Sequence, residues 1–227
     1  GSSVDPKAMR RIVDAAGGNP LFLEQLLSVF IDDGRLTRVD GHWRLTGDLD
    51  GFEIPHTVEA LIAARLDRLS WGERRIIEPS SVIGRRFAEA AVAYLIDESD
   101  TSALAGHLLR LTERELIVAD TGTEPAYLFE HQLIRDATYN GLLKETRALL
   151  HERFVAWGEA INEARDRATE FEEIQGYHLE QAHRYWRDLG PLDDHAVQIG
   201  IRGAAKLRSA GERALARGDM PAAASLL

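Results

Sequence analysis

Several features that would define a class of protein are missing from these 227 residues. Cysteine is absent, so disulfide bonds and zinc–thiolate sites are excluded. No run of about 18 apolar residues occurs, and we therefore expect no membrane-spanning helix. The sequence also lacks the Gly-x-x-x-x-Gly-Lys-Ser/Thr loop that cradles nucleotide phosphates, and an apolar strand ending in paired acids that would hold magnesium. These residues alone are therefore predicted to have no ATPase activity.

The common motifs of hydrolases and metal sites are missing as well. A Gly-x-Ser-x-Gly nucleophile elbow does not occur. Zinc proteases need two histidines four positions apart with a glutamate between them, whereas His178 and His183 are separated by five positions. We therefore predict no catalytic residues and no metal site, and we interpret these histidines and His195 as helix-surface or interface residues.

Acidic residues outnumber basic ones, with 37 Asp and Glu against 27 Lys and Arg, which gives a formal net charge of -10. Because DNA-binding domains usually carry a basic surface, this balance argues against direct DNA binding. Gly1-Ser2-Ser3 lacks the charged and apolar regions of a signal peptide and is typical of a remnant of tag cleavage. Together with the lack of cysteine, this favours a cytoplasmic protein.

Residues 4–69 are predicted to be helical, with one small hairpin. Asp5-Pro6 is typical of a helix start, and Gly17-Gly18-Asn19-Pro20 ends this helix and begins a second one, forming an elbow. Asp40-Gly41 favours the type I′ turn of a hairpin. Thr57 is predicted to cap a third helix.

Residues 70–143 have the predicted element order of a winged helix, which is three short helices followed by a hairpin. The first helix begins with a capping box formed by Ser70 and Glu73 and is predicted to end or kink at Pro79. The next two helices are predicted over Phe87 to Ile96 and from Asp100 onward. Two short strands, over residues 116–120 and 126–130, complete the pattern.

Residues 144–227 are predicted to form an arm of antiparallel helices. Small residues on one helix, the Gly218-Asp219 turn and a further alanine-rich helix resemble one tetratricopeptide unit. Such a unit cannot bury its apolar face alone and needs stacked neighbours. Because the sequence stops inside this pattern, we expect that it is a truncated piece of a longer protein. The predicted fold class is mainly α throughout.

Four stretches in this order resemble the C-terminal half of the ATPase core in bacterial signal-transduction ATPases with numerous domains. That family includes large LuxR-type transcriptional regulators and proteins with a class III adenylyl cyclase domain. The four stretches are Gly17 to Glu24 (GGNPLFLE), Val58 to Ser70 (VEALIAARLDRLS), Ser81 to Gly84 (SVIG) and Phe129 to Ala137 (FEHQLIRDA).

The resemblance implies a division into a helical lid over residues 4–69, a winged helix over 70–143 and the start of a tetratricopeptide-like arm from 144. It implies that Gly18 and Pro20 lie near the adenine and sugar of the parent's nucleotide, at a helix start with free backbone N–H groups. His131 would contact the β-phosphate of bound ADP, although Gln132 stands where many relatives carry aspartate. ATP or ADP would bind the parent protein, and none is expected to bind this piece tightly.

The implied partners are the nucleotide-binding domain of the same polypeptide and an inducer or protein on the arm, with no membrane. DNA would be contacted through a domain outside this chain. Three alternatives stay open at this stage. The elbow and His131 could be structural, with His131 capping the helix that follows. The winged helix could bind DNA directly, or the chain could be the regulatory portion of an adenylyl cyclase.

Overall fold

The computed structural model describes residues 6–39, 42–45, 54–122, 124–164 and 171–226, and these are mainly helical with two small antiparallel sheets. The predicted mainly α class is therefore confirmed. The helices are α1 (Pro6–Ala16), α2 (Pro20–Asp32), α3 (Val58–Asp67), α4 (Trp71–Ile83), α5 (Glu89–Leu95), α6 (Glu98–Thr101), α7 (Leu104–Glu113), α8 (Gln132–Gly141), α9 (Lys144–Ala164), α10 (Glu172–Leu189), α11 (Asp194–Ala216) and α12 (Met220–Leu226). The strands are β1 (Leu36–Val39), β2 (His42–Leu45), β3 (Arg86–Ala88), β4 (Ile117–Asp120) and β5 (Ala126–Phe129).

The predicted helix starts at Asn19, Thr57 and Ser70 are confirmed. Asn19 accepts hydrogen bonds at the start of α2, with Pro20 in the first turn, and Thr57 accepts one from the Ala60 amide at 3.1 Å. Ser70 and Glu73 form the predicted capping box at the start of α4. Each cap side chain accepts from a backbone amide no more than three residues away, so the local sequence is sufficient to specify these caps.

The first sheet is the predicted hairpin, in which β1 pairs with β2 and Leu36 lies opposite Leu45. Its predicted Asp40-Gly41 turn lies outside the described residues, as do the helix start at Asp5 and the suggested tag remnant at 1–3. Among the described residues, no helix is both long enough and apolar enough to span a bilayer.

The second sheet contains a strand that the sequence pattern did not reveal. Phe87 and Ala88 were expected to begin a helix, but they lie in β3, which pairs with β5 to give the strand order β3-β5-β4. Phe87 is buried, and its ring lies 5.4 Å from that of Phe129. The expectation of a helix from Phe87 was wrong because this tertiary pairing outweighs the helical propensity of the alanines that follow.

Two further predictions about residues 70–143 are corrected. Helix α4 does not end at Pro79 but continues to Ile83, and Ser80 donates to the carbonyl of Ile76 at 2.7 Å inside the same turn. Asp100 does not cap α7, which begins after Ala103 without a side-chain cap. Asp100 instead lies inside α6, and its carboxylate is paired with Arg75 at 2.5 Å.

One cluster of buried apolar side chains includes residues from both of the first two predicted segments. Phe30 and Leu61 from residues 4–69 belong to the same cluster as Ile76, Leu108 and Phe129 from residues 70–143. Burial of this kind is the main source of stability in a folded chain. The two segments therefore share a core.

In residues 144–226, helix α10 packs against both α9 and α11, and α12 packs against α11. Glycines allow α10 and α11 to approach closely. A Cβ atom placed on Gly176 would lie 2.8 Å from Cγ of Leu207, and one placed on Gly203 would lie 3.0 Å from Cβ of Leu179. Gly176 and Gly203 therefore lie where α10 and α11 are in contact.

Candidate functional site

The elbow between α1 and α2 has the backbone shape that its glycines indicate. Gly17 and Gly18 have φ values of 54° and 80°, the left-handed region that favours glycine. A Cβ atom on either residue would have no neighbour within 4 Å, so conformation and not crowding explains their use. Pro20 follows on the surface, where its ring is exposed.

The expectation of free backbone N–H groups at this helix start was wrong. The amides of Leu21 and Phe22 donate to Oδ1 of Asn19 at 3.1 and 3.3 Å, and the amide of Leu23 donates to the carbonyl of Asn19 at 3.2 Å. Proline has no N–H group. The first turn of α2 therefore offers an exposed apolar ring, and a ligand that needed its amides would have to displace Asn19.

His131 occupies the N-cap position of α8, but its side chain makes no capping hydrogen bond. The structural alternative of a capping histidine is therefore wrong for the imidazole. Nε2 of His131 instead lies 2.7 Å from Oε1 of Glu24, four residues after Pro20 on α2. Since a carboxylate can only accept, Nε2 carries the proton and donates. This contact brings the start of α8 to the helix that follows the elbow.

A polar path leads from this pair into the protein. Oε1 of Glu24 also accepts a weak hydrogen bond of 3.5 Å from the neighbouring Gln25, whose own Oε1 accepts one of 2.5 Å from Arg65. Gln25 and Arg65 are both buried, with Arg65 only 1% exposed. The surface pair is thus connected to an internal guanidinium.

Arg65 is the centre of a buried charge network that joins four helices. Its Nε lies 3.3 Å from Asp32 at the end of α2, and its Nη2 donates to the backbone carbonyl of Arg114. Burial lowers the pKa of the Arg65 guanidinium, and the negative charge of Asp32 opposes that effect. Arg114 in turn lies 3.5 Å from Asp32 and 3.4 Å from Glu73 at the start of α4.

Glu73 therefore serves both the capping box and this network. Burial tends to raise the pKa of Glu73, but hydrogen bonds from Ser70 and the charges of Arg114 and Arg110 lower it overall. Because Glu73 is ionised and 2% exposed, it needs these partners. Its Oε1 atom has no hydrogen bond and is compensated through the two guanidinium charges, at 3.4 and 3.7 Å.

On helix α7, the element that would read DNA in a winged helix, the basic side chains make contacts within the chain while staying partly exposed. Arg114, just after its end, belongs to the buried network, and Arg110 contacts Glu73 and His107. His107 lies so close to α4 that a Cβ atom on Gly72 would be 2.2 Å from the imidazole Cε1. These contacts leave few donors on α7 for base edges.

Of the arginines at positions 74, 75, 85 and 86, three are paired with acids. Arg74 pairs with Asp67 at 3.2 Å, and Arg86 pairs with Asp120 at 2.6 Å. Arg75 pairs with both Asp97 and Asp100 and lies over the ring of the exposed Trp71. Arg85 is exposed. The positive charge of these arginines is therefore largely neutralised by carboxylates.

The arm histidines differ in their surroundings. His178 is buried against His151, so it is an interface residue and not a surface one. His183 is partly buried, and its Nδ1 lies 2.9 Å from the carbonyl of Ala196. His195 is exposed and lies 2.9 Å from Glu152. Among the described residues, no group of three or more His, Cys, Asp or Glu side chains is arranged to hold a metal ion.

Sequence reasoning named Gly18, Pro20 and His131 but missed Glu24, Gln25 and Arg65. One signal was present, because Arg65 occupies an apolar-spaced position on α3 and an arginine there needs an internal partner. Nothing in the local sequence identifies that partner as Gln25 and Asp32, since the contacts join positions 40 and 33 residues apart.

Comparison with known proteins gives limited context. No family model matches the chain, and no solved structure matches it significantly. It is similar to "Uncharacterized protein R02095" of Rhizobium meliloti (strain 1021), with 25% identity over 192 residues. The alignment covers 82% of this chain and 16% of that protein, so the chain spans a small part of the relative that it matches.

Proposed function

We propose that this chain is the regulatory part of a multidomain signal-transduction ATPase and couples the nucleotide state of its parent to a signalling or transcriptional output. In this proposal residues 4–69 are a helical lid, 70–143 a winged helix and 144–227 the start of a tetratricopeptide-like arm. The chain has no catalytic residue of its own. The order α4, β3, α5, the four-residue α6, α7 and the hairpin of β4 and β5, with β3 beside β5, supports the winged-helix interpretation.

The observation that carries the proposal is the contact between His131 and Glu24. The motif residues Gly18, Pro20 and His131 come from two stretches far apart in sequence, and this contact of 2.7 Å joins the helices that bear them. Both side chains are accessible, at 32% and 47% exposure. A phosphate oxygen from ADP would compete with Glu24 for the N–H group of His131, because both are anionic acceptors.

Release of Glu24 from His131 would then change contacts inside the chain. Glu24 is the surface end of the polar path through Gln25 to Arg65, and Arg65 holds the end of α2 against Arg114. The proposed ADP-bound and ADP-free states therefore differ in the contacts around α7 and the start of α4. Two sites and two states of this kind are what a claim of allosteric coupling requires.

The proposed partners are those that the family resemblance implies. The nucleotide-binding domain of the same polypeptide would supply the phosphate loop, and ATP or ADP would bind between it and the elbow. An inducer or protein would bind the arm, and the proposed setting is the cytoplasm. The internal use of Arg110 and Arg114 supports a winged helix that transmits a conformational change, with DNA contacted through another domain.

The test is ADP binding by the parent polypeptide with His131→Gln. We expect the affinity to fall by about ten- to hundredfold, since a hydrogen bond to a charged group contributes about 1.5–3 kcal/mol. His195→Gln is the matched control, because His195 also pairs with a glutamate, at 2.9 Å, but lies at the start of the arm. That variant is expected to bind ADP as the unmodified protein does.

Unchanged ADP affinity in His131→Gln would contradict the nucleotide contact. A parent gene without an upstream phosphate loop would contradict the whole assignment. ATP hydrolysis that copurifies with residues 1–227 alone would contradict the regulatory role, because these residues have no phosphate cradle.

A further inference from the structure

A chain of four hydrogen-bonding side chains lies where α8, α9 and α10 meet. The hydroxyl of Tyr139 on α8 is 2.8 Å from Nε2 of His151 on α9 and 2.9 Å from the hydroxyl of Tyr185 on α10. Nδ1 of His151 is 2.7 Å from Nδ1 of His178, also on α10. The two imidazoles are buried, at 1% and 3% exposure. These contacts fasten α10 to both preceding helices.

The contact between the two imidazoles depends on how many protons they carry. Two Nδ1 atoms at 2.7 Å form a hydrogen bond when one has a proton and the other has a lone pair. One added proton places a charge in a buried site, and a second leaves two N–H groups pointing at each other. Either step favours a state in which the helices have separated and water reaches the rings.

The charges that face this pair are all positive. Arg135 on α8 and Arg147 on α9 both act on His151, and Arg135 also acts on His178. The other groups that face the pair are tyrosine hydroxyls and apolar rings, and the charges of α11 reach α10 elsewhere, through Lys206 to Gln175 and Arg213 to Glu172. No carboxylate of the described residues is in ion-pair distance of either imidazole.

We infer that Tyr139, His151 and His178 form an acid-sensitive latch that fastens α10, and through it the arm, to α8 and α9. Near neutral pH the latch is closed and both imidazoles are neutral. As the pH falls below neutral, the open state, in which α10 separates from α8, becomes progressively more favourable because its imidazoles take up protons. This inference does not depend on the proposed nucleotide function.

The pKa values agree in direction with this geometry. Burial, followed by the charge of Arg135, lowers the pKa of His178 to about 3. Burial, followed by His178 and the two arginines, holds the pKa of His151 well below its usual range. Burial and the neighbouring Tyr185 hydroxyl raise the pKa of Tyr139, so its hydroxyl keeps its proton. In the closed latch the two imidazoles therefore stay unprotonated at mildly acidic pH. In the open state they bind protons with an ordinary imidazole pKa of about 6.5.

Hydrogen exchange of the purified chain at pH 7.5, 6.5 and 5.5, corrected for the intrinsic exchange rate, tests the inference. Each imidazole takes up one proton when the latch opens. Below about pH 6.5, each histidine therefore raises the equilibrium constant for opening about tenfold per pH unit. We expect the amides of α10 to lose protection by up to about a hundredfold per pH unit, while those of α2 to α4 change little.

His178→Gln and His183→Gln provide the matched comparison. Glutamine at 178 can still hydrogen-bond to His151 but does not titrate. The loss of α10 protection should therefore fall from about a hundredfold to about tenfold per pH unit. His183 lies on the same helix outside the latch, and its variant should keep the full slope. Tyr139→Phe should weaken α10 protection at pH 7.5 and keep the pH slope.

Three results would overturn the latch. The first is α10 protection in the unmodified chain that does not change between pH 7.5 and 5.5. The second is the same pH slope in His178→Gln as in His183→Gln. The third is an equal loss in α2 to α4, which would mean global unfolding. If His178→Gln does not fold, the latch can be tested by NMR titration of the unmodified chain. His151 and His178 must then gain protons over the same pH range in which α10 loses protection.

Discussion

His131 donates a hydrogen bond of 2.7 Å to Glu24 across 107 positions of sequence. Because both groups are substantially exposed, solvent screens their attraction, and such pairs contribute little to stability. We therefore expect Glu24→Gln to change the free energy of unfolding by less than about 1 kcal/mol in chemical denaturation. A loss of more than about 2 kcal/mol would assign the pair a structural role and weaken the case for a ligand contact.

Arg65 is predicted to be a major determinant of stability. Arg65→Met would leave Asp32 and Gln25 without their buried cationic partner, and removing one member of a buried ion pair costs about 3–5 kcal/mol. Arg68→Met is the control, because Arg68 pairs with Asp33 nearer the surface. Its cost should stay below about 1 kcal/mol. Equal effects of the two substitutions in urea denaturation would contradict the buried network.

Glu73 is predicted to make stability depend on pH in the acidic range. Its folded pKa is lowered from the ordinary 4.5, so its contribution is complete above that value and is lost as the pH falls through the lower folded pKa. Thermal unfolding between pH 6 and pH 3 should therefore show a smaller loss for Glu73→Gln than for the unmodified chain. Glu113→Gln, at an exposed position on α7, should leave the pH dependence of thermal unfolding unchanged. If Glu73→Gln also showed the same pH dependence as the unmodified chain, Glu73 would not be the source of the acid sensitivity.

The elbow glycine gives a conformational test. Gly18→Ala forces alanine to φ near 80°, and a left-handed conformation costs a residue with a Cβ about 1–2 kcal/mol. Gly141→Ala also meets no atom within 4 Å and does not have a positive φ, so it should be neutral or slightly stabilising. Denaturation midpoints of the two variants compare these costs directly. If both behave alike, the elbow does not have the described shape.

DNA binding is predicted to be absent for this chain. The net charge is -10, and Arg110 and Arg114 are committed to Glu73 and Asp32. Gel-shift or anisotropy titration with duplex DNA at low salt should therefore show no binding. Binding that weakens steeply with added salt would instead favour direct contact with phosphates through the proposed winged helix.

Much of the local structure could be predicted from the sequence. The caps at Asn19, Thr57 and Ser70 act on amides two or three residues away, and β1 and β2 are neighbouring antiparallel strands. Predictions failed where a distant partner decided the outcome. Asp100 pairs with Arg75 instead of capping a helix, and Phe87 lies in a strand because β5 is beside it.

The candidate site was predicted in part. The sequence indicated Gly18, Pro20 and His131 through a family resemblance, and it indicated an elbow at Gly17-Gly18-Asn19-Pro20 through a helix end followed by a helix start. It did not indicate that His131 would donate to Glu24, or that His151 and His178 would share a hydrogen bond.

The sequence by itself determined the mainly helical class, the capped helix starts at Asn19, Thr57 and Ser70, and the absence of a phosphate loop, because these depend on residue types and on contacts within one turn. Only the tertiary structure decided which charged groups became partners. Arg65 is stable inside the protein because the packing of α2, α3 and α7 brings Asp32, Gln25 and the Arg114 carbonyl to it. Such packing depends on the whole core, which no single stretch of the sequence specifies.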